Sequence, residues 1–217
     1  MTISTILKNL SLVTVGAVAV TFGFGEAANA VALTGSFQFN GIGDPISQVV
    51  ITANKLNFSP NPTPIGLAAQ TDSFTSFSSG FVRDVNSVAG LNGSPTLLSN
   101  VPFLDLGEND GIDILKLTEV SEYTFVNLGV TTAINLAYKG FFTSSTGDIS
   151  QAFGNLTFQA IGNSTEVKNL LQGNGSITAT FSGLTVATEP VPEPLTILGS
   201  LAAVGIGTAL KKKQKKA

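Results

Sequence analysis

Four carboxylates lie close together in the middle of the chain, within residues 105–113. They are Asp105, Glu108, Asp110 and Asp113, and the side-chain carbonyl of Asn109 adds a further oxygen. Oxygen ligands on a glycine-containing loop suit calcium, although this spacing matches neither the EF-hand loop nor the nonapeptide β-helix repeat. The run 109–111 is also the chemistry of a hairpin turn. We therefore predict a polar hairpin turn without a cofactor, and a calcium site at the four acids is the alternative.

The same acids raise the question of glycoside hydrolysis, because that reaction needs only two carboxyl groups at a suitable separation. The chain contains no Trp and only two Tyr, Tyr123 and Tyr138, so it has few of the rings on which sugars stack. It also contains no His, which excludes Ser-His-Asp and Cys-His catalysis and histidine-ligated zinc. We predict that the protein is not an enzyme. The alternative is a small carbohydrate-binding or carbohydrate-hydrolysing module that uses the acidic loop.

The elements that must position these residues are strands. Short segments rich in Val, Ile, Thr and Phe alternate with Gly, Pro, Asn and Asp breakers, and several show the two-residue period of a half-buried strand. Strands are predicted at 33–39, 49–58, 73–82, 112–117, 123–128, 131–142, 152–161 and 176–186. A helix is predicted only at 164–171, capped by Ser164 or Thr165 and closed by Gly173. This pattern predicts an all-β antiparallel sandwich, with a jelly roll or a small barrel still open.

The charge of the central region argues against nucleic acid as a partner. Residues 31–190 hold five basic and twelve acidic side chains, a net charge of −7, whereas the whole chain has −3 because five lysines lie at its C-terminal end. Phosphate contact needs clustered Lys and Arg. The chain also has no cysteine, so the hydrophobic core has to hold the fold without disulfides.

The C-terminal residues 191–217 fall into three consecutive parts. Val191, Pro192, Glu193 and Pro194 come first, and their prolines favour extended backbone. An uncharged apolar run follows at 195–210, about 24 Å long as a helix. The chain then ends in a basic group that would stop transfer across a membrane, namely Lys211, Lys212, Lys213, Lys215 and Lys216. We predict a C-terminal transmembrane helix.

This order of parts resembles the PEP-CTERM sorting signal on exported proteins of Gram-negative bacteria. The resemblance is confined to the tail. It implies that an exosortase-type membrane protease recognises Val191 to Pro194 and processes the chain, and it implies a link to extracellular polysaccharide. An ordinary, unprocessed C-terminal anchor is the alternative.

The N-terminus has the features of a secretory signal. Lys8 precedes an uncharged, mostly apolar stretch at 10–24, and Ala28-Asn29-Ala30 has the small-x-small pattern that signal peptidase cleaves. Ala30-Val31-Ala32 is a second possible site. We predict a signal helix that is removed within two residues of Val31.

These features divide the chain into a signal peptide at 1–30, a β-rich exported domain at 31–188 and a sorting signal with a transmembrane helix and basic tail at 189–217. We predict a non-catalytic component of the cell envelope or extracellular matrix. Before processing it would be anchored in the inner membrane, and afterwards it would lie in the envelope, at the surface or outside the cell. Its predicted partners are signal peptidase, the exosortase-type protease and the membrane before processing, and exopolysaccharide is a further candidate.

Overall fold

The computed structural model describes residues 32–43, 47–91 and 93–189. Apart from one helix and one 3-10 turn, the elements are strands. In chain order, the strands are β1 (Gly35–Gly41), β2 (Gln48–Ile51), β3 (Leu56–Ser59), β4 (Thr63–Ala68), β5 (Ser79–Val82), β6 (Thr96–Leu106), β7 (Ile114–Val120), β8 (Thr124–Asn127), β9 (Thr131–Thr143), β10 (Ile149–Ile161) and β11 (Ile177–Thr188). The 3-10 turn is Asp72–Ser76, and helix α1 is Ser164–Gln172.

Eight of the described strands form a closed antiparallel barrel in the order β1-β4-β5-β6-β7-β9-β10-β11. The barrel closes because β1 pairs with both β4 and β11, so that Gly35 lies opposite Ala187 and Asn40 opposite Ser182. The other three strands extend its wall: β2 and β3 continue from the first part of β11, and β8 pairs with β9. Antiparallel neighbours that follow one another in sequence need only short connections.

Two close contacts between aromatic rings and glycines shape the wall near this closure. Phe39 pairs with Gly183 across β1 and β11, and a Cβ atom at Gly183 would lie 2.2 Å from the Phe39 ring. A Cβ atom at Gly154 of β10 would similarly lie 2.4 Å from the hydroxyl of Tyr138. Glycine is therefore required at both positions, because any side chain would displace a buried ring.

Aromatic side chains fill the barrel interior. The rings of Phe37, Phe74 and Phe142 form one cluster with centroids 4.7–6.3 Å apart, and all three side chains are fully buried. Phe103 and Tyr138 form another edge-on pair at 5.4 Å. An eight-stranded barrel is just wide enough to be filled by side chains, and these rings join β1, β6 and β9 to the 3-10 turn.

The predicted β-sandwich is wrong. A sandwich needs two separate sheets, whereas the pairing of β1 with β11 closes one sheet on itself. Alternation of apolar and polar residues along a strand shows only that one face of the strand is buried. Strands of a sandwich and of a barrel both show this alternation, so it does not distinguish the two architectures. The small barrel that the pattern left open is the observed architecture.

Two strands of the barrel wall were missed by the sequence reasoning. The segment that becomes β4 contains Pro64, and proline in a sequence argues against a strand. Pro64 lies outside the β1–β4 ladder, which begins at Ile65, and has a register partner only in the β4–β5 ladder, Phe81. Strand ends tolerate proline. The segment that becomes β6 lacks clean alternation because Phe103, Leu104 and Asp105 are consecutive buried residues.

Helix α1 is present close to its predicted bounds, but it is capped one residue earlier. The Asn163 side chain accepts hydrogen bonds from the backbone N–H groups of Thr165 and Glu166, and Glu166 accepts in return from the Asn163 N–H. This reciprocal capping box satisfies N–H groups that the first turn leaves free. Val167 and Leu171 are buried, whereas Leu170 is 49% exposed.

The predicted signal helix and C-terminal transmembrane helix fall outside the described residues. Within the described ranges, no helix is long and apolar enough to cross a membrane, so the transmembrane helix of the sequence prediction has no counterpart there.

Candidate functional site

Asp105 is a buried residue of the barrel wall and not part of an exposed loop. It lies in β6 and is fully buried. Arg83 follows β5, which pairs with β6, and its Nη2 lies 2.9 Å from Asp105 Oδ2. The same oxygen accepts a hydrogen bond from the Gly111 N–H at 3.1 Å. Asp105 therefore joins the end of β5 to the turn that follows β6.

The other acids of the segment hold the turn between β6 and β7. Asp110 Oδ1 accepts from the Ile112 N–H at 2.9 Å, within the turn itself. Asp113 Oδ1 accepts from the Ser145 N–H at 2.8 Å and so links this turn to the one after β9. Glu108 is exposed. The segment thus forms a turn between two antiparallel strands, with each engaged carboxylate bound to a different partner.

A calcium ion at these residues would have to compete with Arg83 for Asp105. The guanidinium already supplies a positive charge at 2.9 Å, although Asp105 Oδ1 and Arg83 Nε are buried without a hydrogen-bond partner among the described residues. No group of three or more metal-ligating side chains occurs in the part of the chain that the structure describes. Calcium binding at Asp105, Glu108, Asp110 and Asp113 stays an untested alternative to the predicted turn without a cofactor.

Both tyrosines are structural members of the core. Tyr138 is fully enclosed, and its hydroxyl lies 2.6 Å from Thr185 Oγ1 and donates to the Leu184 carbonyl at 3.2 Å. The Tyr123 hydroxyl donates to the Thr52 carbonyl at 3.2 Å. Burial raises the pKa of each phenol well above its ordinary value. Neither ring is available to stack on a sugar, and both phenols stay neutral hydrogen-bonding groups.

A shallow groove lies on the outer wall of the barrel, across β1, β10 and β11. Its volume is about 480 Å³, and the described lining carries no charged side chain. Amides and hydroxyls predominate in this lining, with Gln38, Asn40, Asn155, Thr157 and Ser182. We call this surface the amide groove.

Two further depressions continue the amide groove toward β7. One has a volume of about 190 Å³ and shares Asn155 with the groove; the other has about 490 Å³. Phe153, which is 49% exposed, lines both. The sequence contains a signal for this surface, because the outward positions of β10 are Gln151, Phe153, Asn155, Thr157 and Gln159. By itself, this alternation of outward polar and inward apolar residues predicts only a strand.

No family model, curated protein or solved structure matches this chain.

The predicted sorting and cleavage residues lie outside the described part of the chain. These are Ala28 and Ala30 at the N-terminal end, and Val191, Pro192, Glu193, Pro194, Lys211, Lys212, Lys213, Lys215 and Lys216 at the C-terminal end.

Proposed function

We propose that the protein is an exported, non-catalytic component of the cell envelope or extracellular matrix, sorted through its C-terminal signal. The observation that carries the proposal is the order of parts in the tail: Val191 to Pro194, then an uncharged apolar run, then five lysines. The signal-like N-terminus supports the same route. An exosortase-type membrane protease is the processing partner that this order implies, and signal peptidase would act at the other end.

The described domain supports a structural role within that route. Asp105 and Asp113 are bound to Arg83 and to the Ser145 N–H, so these acids fasten turns of the barrel. The large aromatic side chains are used to fill the interior. The core holds the barrel without disulfides, and the barrel would present its outer wall to the surroundings.

Replacing Glu193 with alanine is expected to block processing, because the protease would no longer find an acidic residue in the extended segment. Pro192→Ala should act in the same direction by relaxing the extended backbone. The matched control is Glu189→Ala, which removes another glutamate just upstream. Intact-mass measurement of membrane and extracellular fractions would detect the tail and also show whether the N-terminus begins within two residues of Val31. Wild-type processing of both Glu193→Ala and Pro192→Ala would contradict the sorting proposal.

The amide groove favours a second function, binding of a neutral polysaccharide. Amides and hydroxyls can donate and accept hydrogen bonds toward sugar hydroxyls, and the exposed ring of Phe153 offers an apolar face beside them. Gln38 and Asn155 line the groove and are exposed. A domain of net charge −7 would repel an acidic polymer, so the uncharged groove suits a neutral one. Exopolysaccharide of this kind is the proposed ligand.

Phe153→Ala is expected to weaken polysaccharide binding about tenfold, since a central aromatic contact often carries that share of an interface. The measurement is affinity electrophoresis of the full-length chain through gels that contain neutral glucans or the neutral exopolysaccharide of the producing cells. Leu97→Ala is the matched control, because Leu97 is 80% exposed on β6 and lines neither the amide groove nor the two depressions that contain Phe153. Retardation should change little with salt. No retardation in any neutral polymer would contradict the binding function and leave the sorting proposal untouched.

A further inference from the structure

Four aliphatic side chains are exposed together at one end of the barrel. Their exposed fractions are 48% for Val126, 53% for Leu128, 85% for Val130 and 92% for Ile161. We call them the apolar tip. The tip lies at one end of the barrel, and Gly35 and Thr188 lie at the other end. The direction of β10 shows this, because β10 begins beside Thr188 and ends at Ile161. Exposed aliphatic residues are common one at a time, but a contiguous group marks a contact surface.

Hydrogen bonds hold the tip in a single arrangement. The Gly162 N–H donates to the Val130 carbonyl at 3.0 Å, which joins the end of β10 to the turn between β8 and β9. Within that turn, Asn127 Oδ1 accepts from the Gly129 N–H at 3.0 Å, and the Leu128 N–H donates to Thr131 at 2.9 Å. Leu128 and Val130 are therefore presented by a preformed turn, so that a partner does not have to order it.

The strand beside the tip has an open edge. Among the described residues, β8 pairs with β9 alone. The next ladder in the wall, between β6 and β7, ends with Thr96 opposite Val120 and does not reach β8. Gly90 pairs just before β8 begins, because it bridges to Glu122 and its carbonyl accepts from the Tyr123 N–H at 2.7 Å. Unpaired backbone groups on an edge strand are a template for another strand. The tip thus combines apolar side chains with a backbone edge, which favours a partner that supplies a strand.

Charge favours a second copy of the chain as that partner. No charged residue occurs at 123–138 or at 149–165, although the region 31–190 has a net charge of −7. Two copies would repel one another over most of their surfaces. Beside the tip, Glu166 carries a charge, and its Oε2 accepts from the Asn163 N–H at 3.1 Å. The four aliphatic side chains are where two copies can approach closely. The same net charge would repel an anionic membrane surface.

We propose that β8 of one copy pairs with β8 of a second copy, in an antiparallel and isologous contact that covers Val126, Leu128 and Val130. A two-fold axis makes such a strand edge self-complementary. One four-residue strand and one turn make a small interface, so the association is weak and depends on concentration. This proposal is independent of the sorting and polysaccharide functions.

The absence of cysteine from the chain allows a clean cross-linking test. A Val126→Cys variant of the full-length chain, treated with a short bis-maleimide, should give a cross-linked dimer. Ile112→Cys is the matched control, because Ile112 is 45% exposed in the turn at the other end of the barrel and should stay monomeric. Val130→Glu in the Val126→Cys background should abolish the dimer, whereas Ile112→Glu in that background should leave its yield unchanged.

Light scattering after gel filtration, over rising protein concentration, supplies the second measurement. The wild type and Ile112→Glu should shift toward the dimer mass, and Val130→Glu should not. If the wild type, Ile112→Glu and Val130→Glu all shift equally toward the dimer mass, association occurs elsewhere, for example through the C-terminal tail, and the proposal is overturned. Equal cross-linking of Val126→Cys and Ile112→Cys would also overturn it. Flotation of the wild type with phosphatidylcholine vesicles, lost in Val130→Glu, would assign the tip to a lipid surface instead and reject the dimer.

Discussion

Phe142→Ala is expected to lower the free energy of unfolding by about 3–5 kcal/mol, the usual cost of emptying a large aromatic position in a core. Phe142 is fully buried, and its ring centroid lies 5.3 Å from that of Phe74 and 6.3 Å from that of Phe37. The alanine would leave a cavity between β9, β1 and the 3-10 turn, because the wall closes in a ring and cannot collapse freely. Urea unfolding of the purified protein would measure the loss.

Phe153→Ala is the matched control for that experiment. Phe153 is 49% exposed on β10, so truncation removes far less buried surface and should cost well under half as much. Similar losses for the two variants would mean that the Phe142 cluster does not hold the barrel together. The comparison also shows that Phe153→Ala remains folded, which the polysaccharide experiment requires.

Asp105→Ala is expected to cost about 2–3 kcal/mol of unfolding free energy, because it leaves the Arg83 guanidinium and the Gly111 N–H without their shared acceptor. The cost should lie below that of a wholly buried pair, since the Arg83 side chain remains 34% exposed to water while Asp105 is fully buried. Chemical denaturation would measure it. Asp110→Ala is the control, because Asp110 is exposed and bonds only within its own turn, and it should change stability by about 0.5 kcal/mol or less.

A double variant separates the ion pair from other effects of the substitution. Arg83→Ala combined with Asp105→Ala should cost less than the two single changes added together, because each single change already removes the interaction between the two side chains and the double variant loses it only once. If Arg83 is the cation that balances the charge of Asp105, the free energy of unfolding lost in Asp105→Ala should be the same with calcium and with a chelator. A wild-type stability that falls on chelation, with no such fall in Asp105→Ala, would instead place calcium at this carboxylate.

The amino-acid sequence by itself indicated a mostly β domain and placed several of its strands and its helix, but not the architecture. Alternation of apolar and polar residues placed strands near β1, β9, β10 and β11, since side chains on a strand point to opposite faces in turn. The helical period and the following Gly173 placed α1. Asparagine, aspartate and glycine at 109–111 marked the turn between β6 and β7. All of these signals act over a few residues, which is why they can be recognised without a structure.

Only the tertiary structure decided how these pieces close and which residues meet. Pairing of Gly35–Asn40 with Ser182–Ala187 turns the sheet into a barrel, and nothing local encodes a contact between the two ends of the domain. Asp105 becomes a buried partner of Arg83 because β5 and β6 pair, although its neighbours in sequence suggested an exposed acidic loop. The amide groove and the open edge of β8 likewise exist only once the strands are ordered. Each depends on contacts between residues far apart in the chain, whereas periodicity reports only which face of a strand is buried.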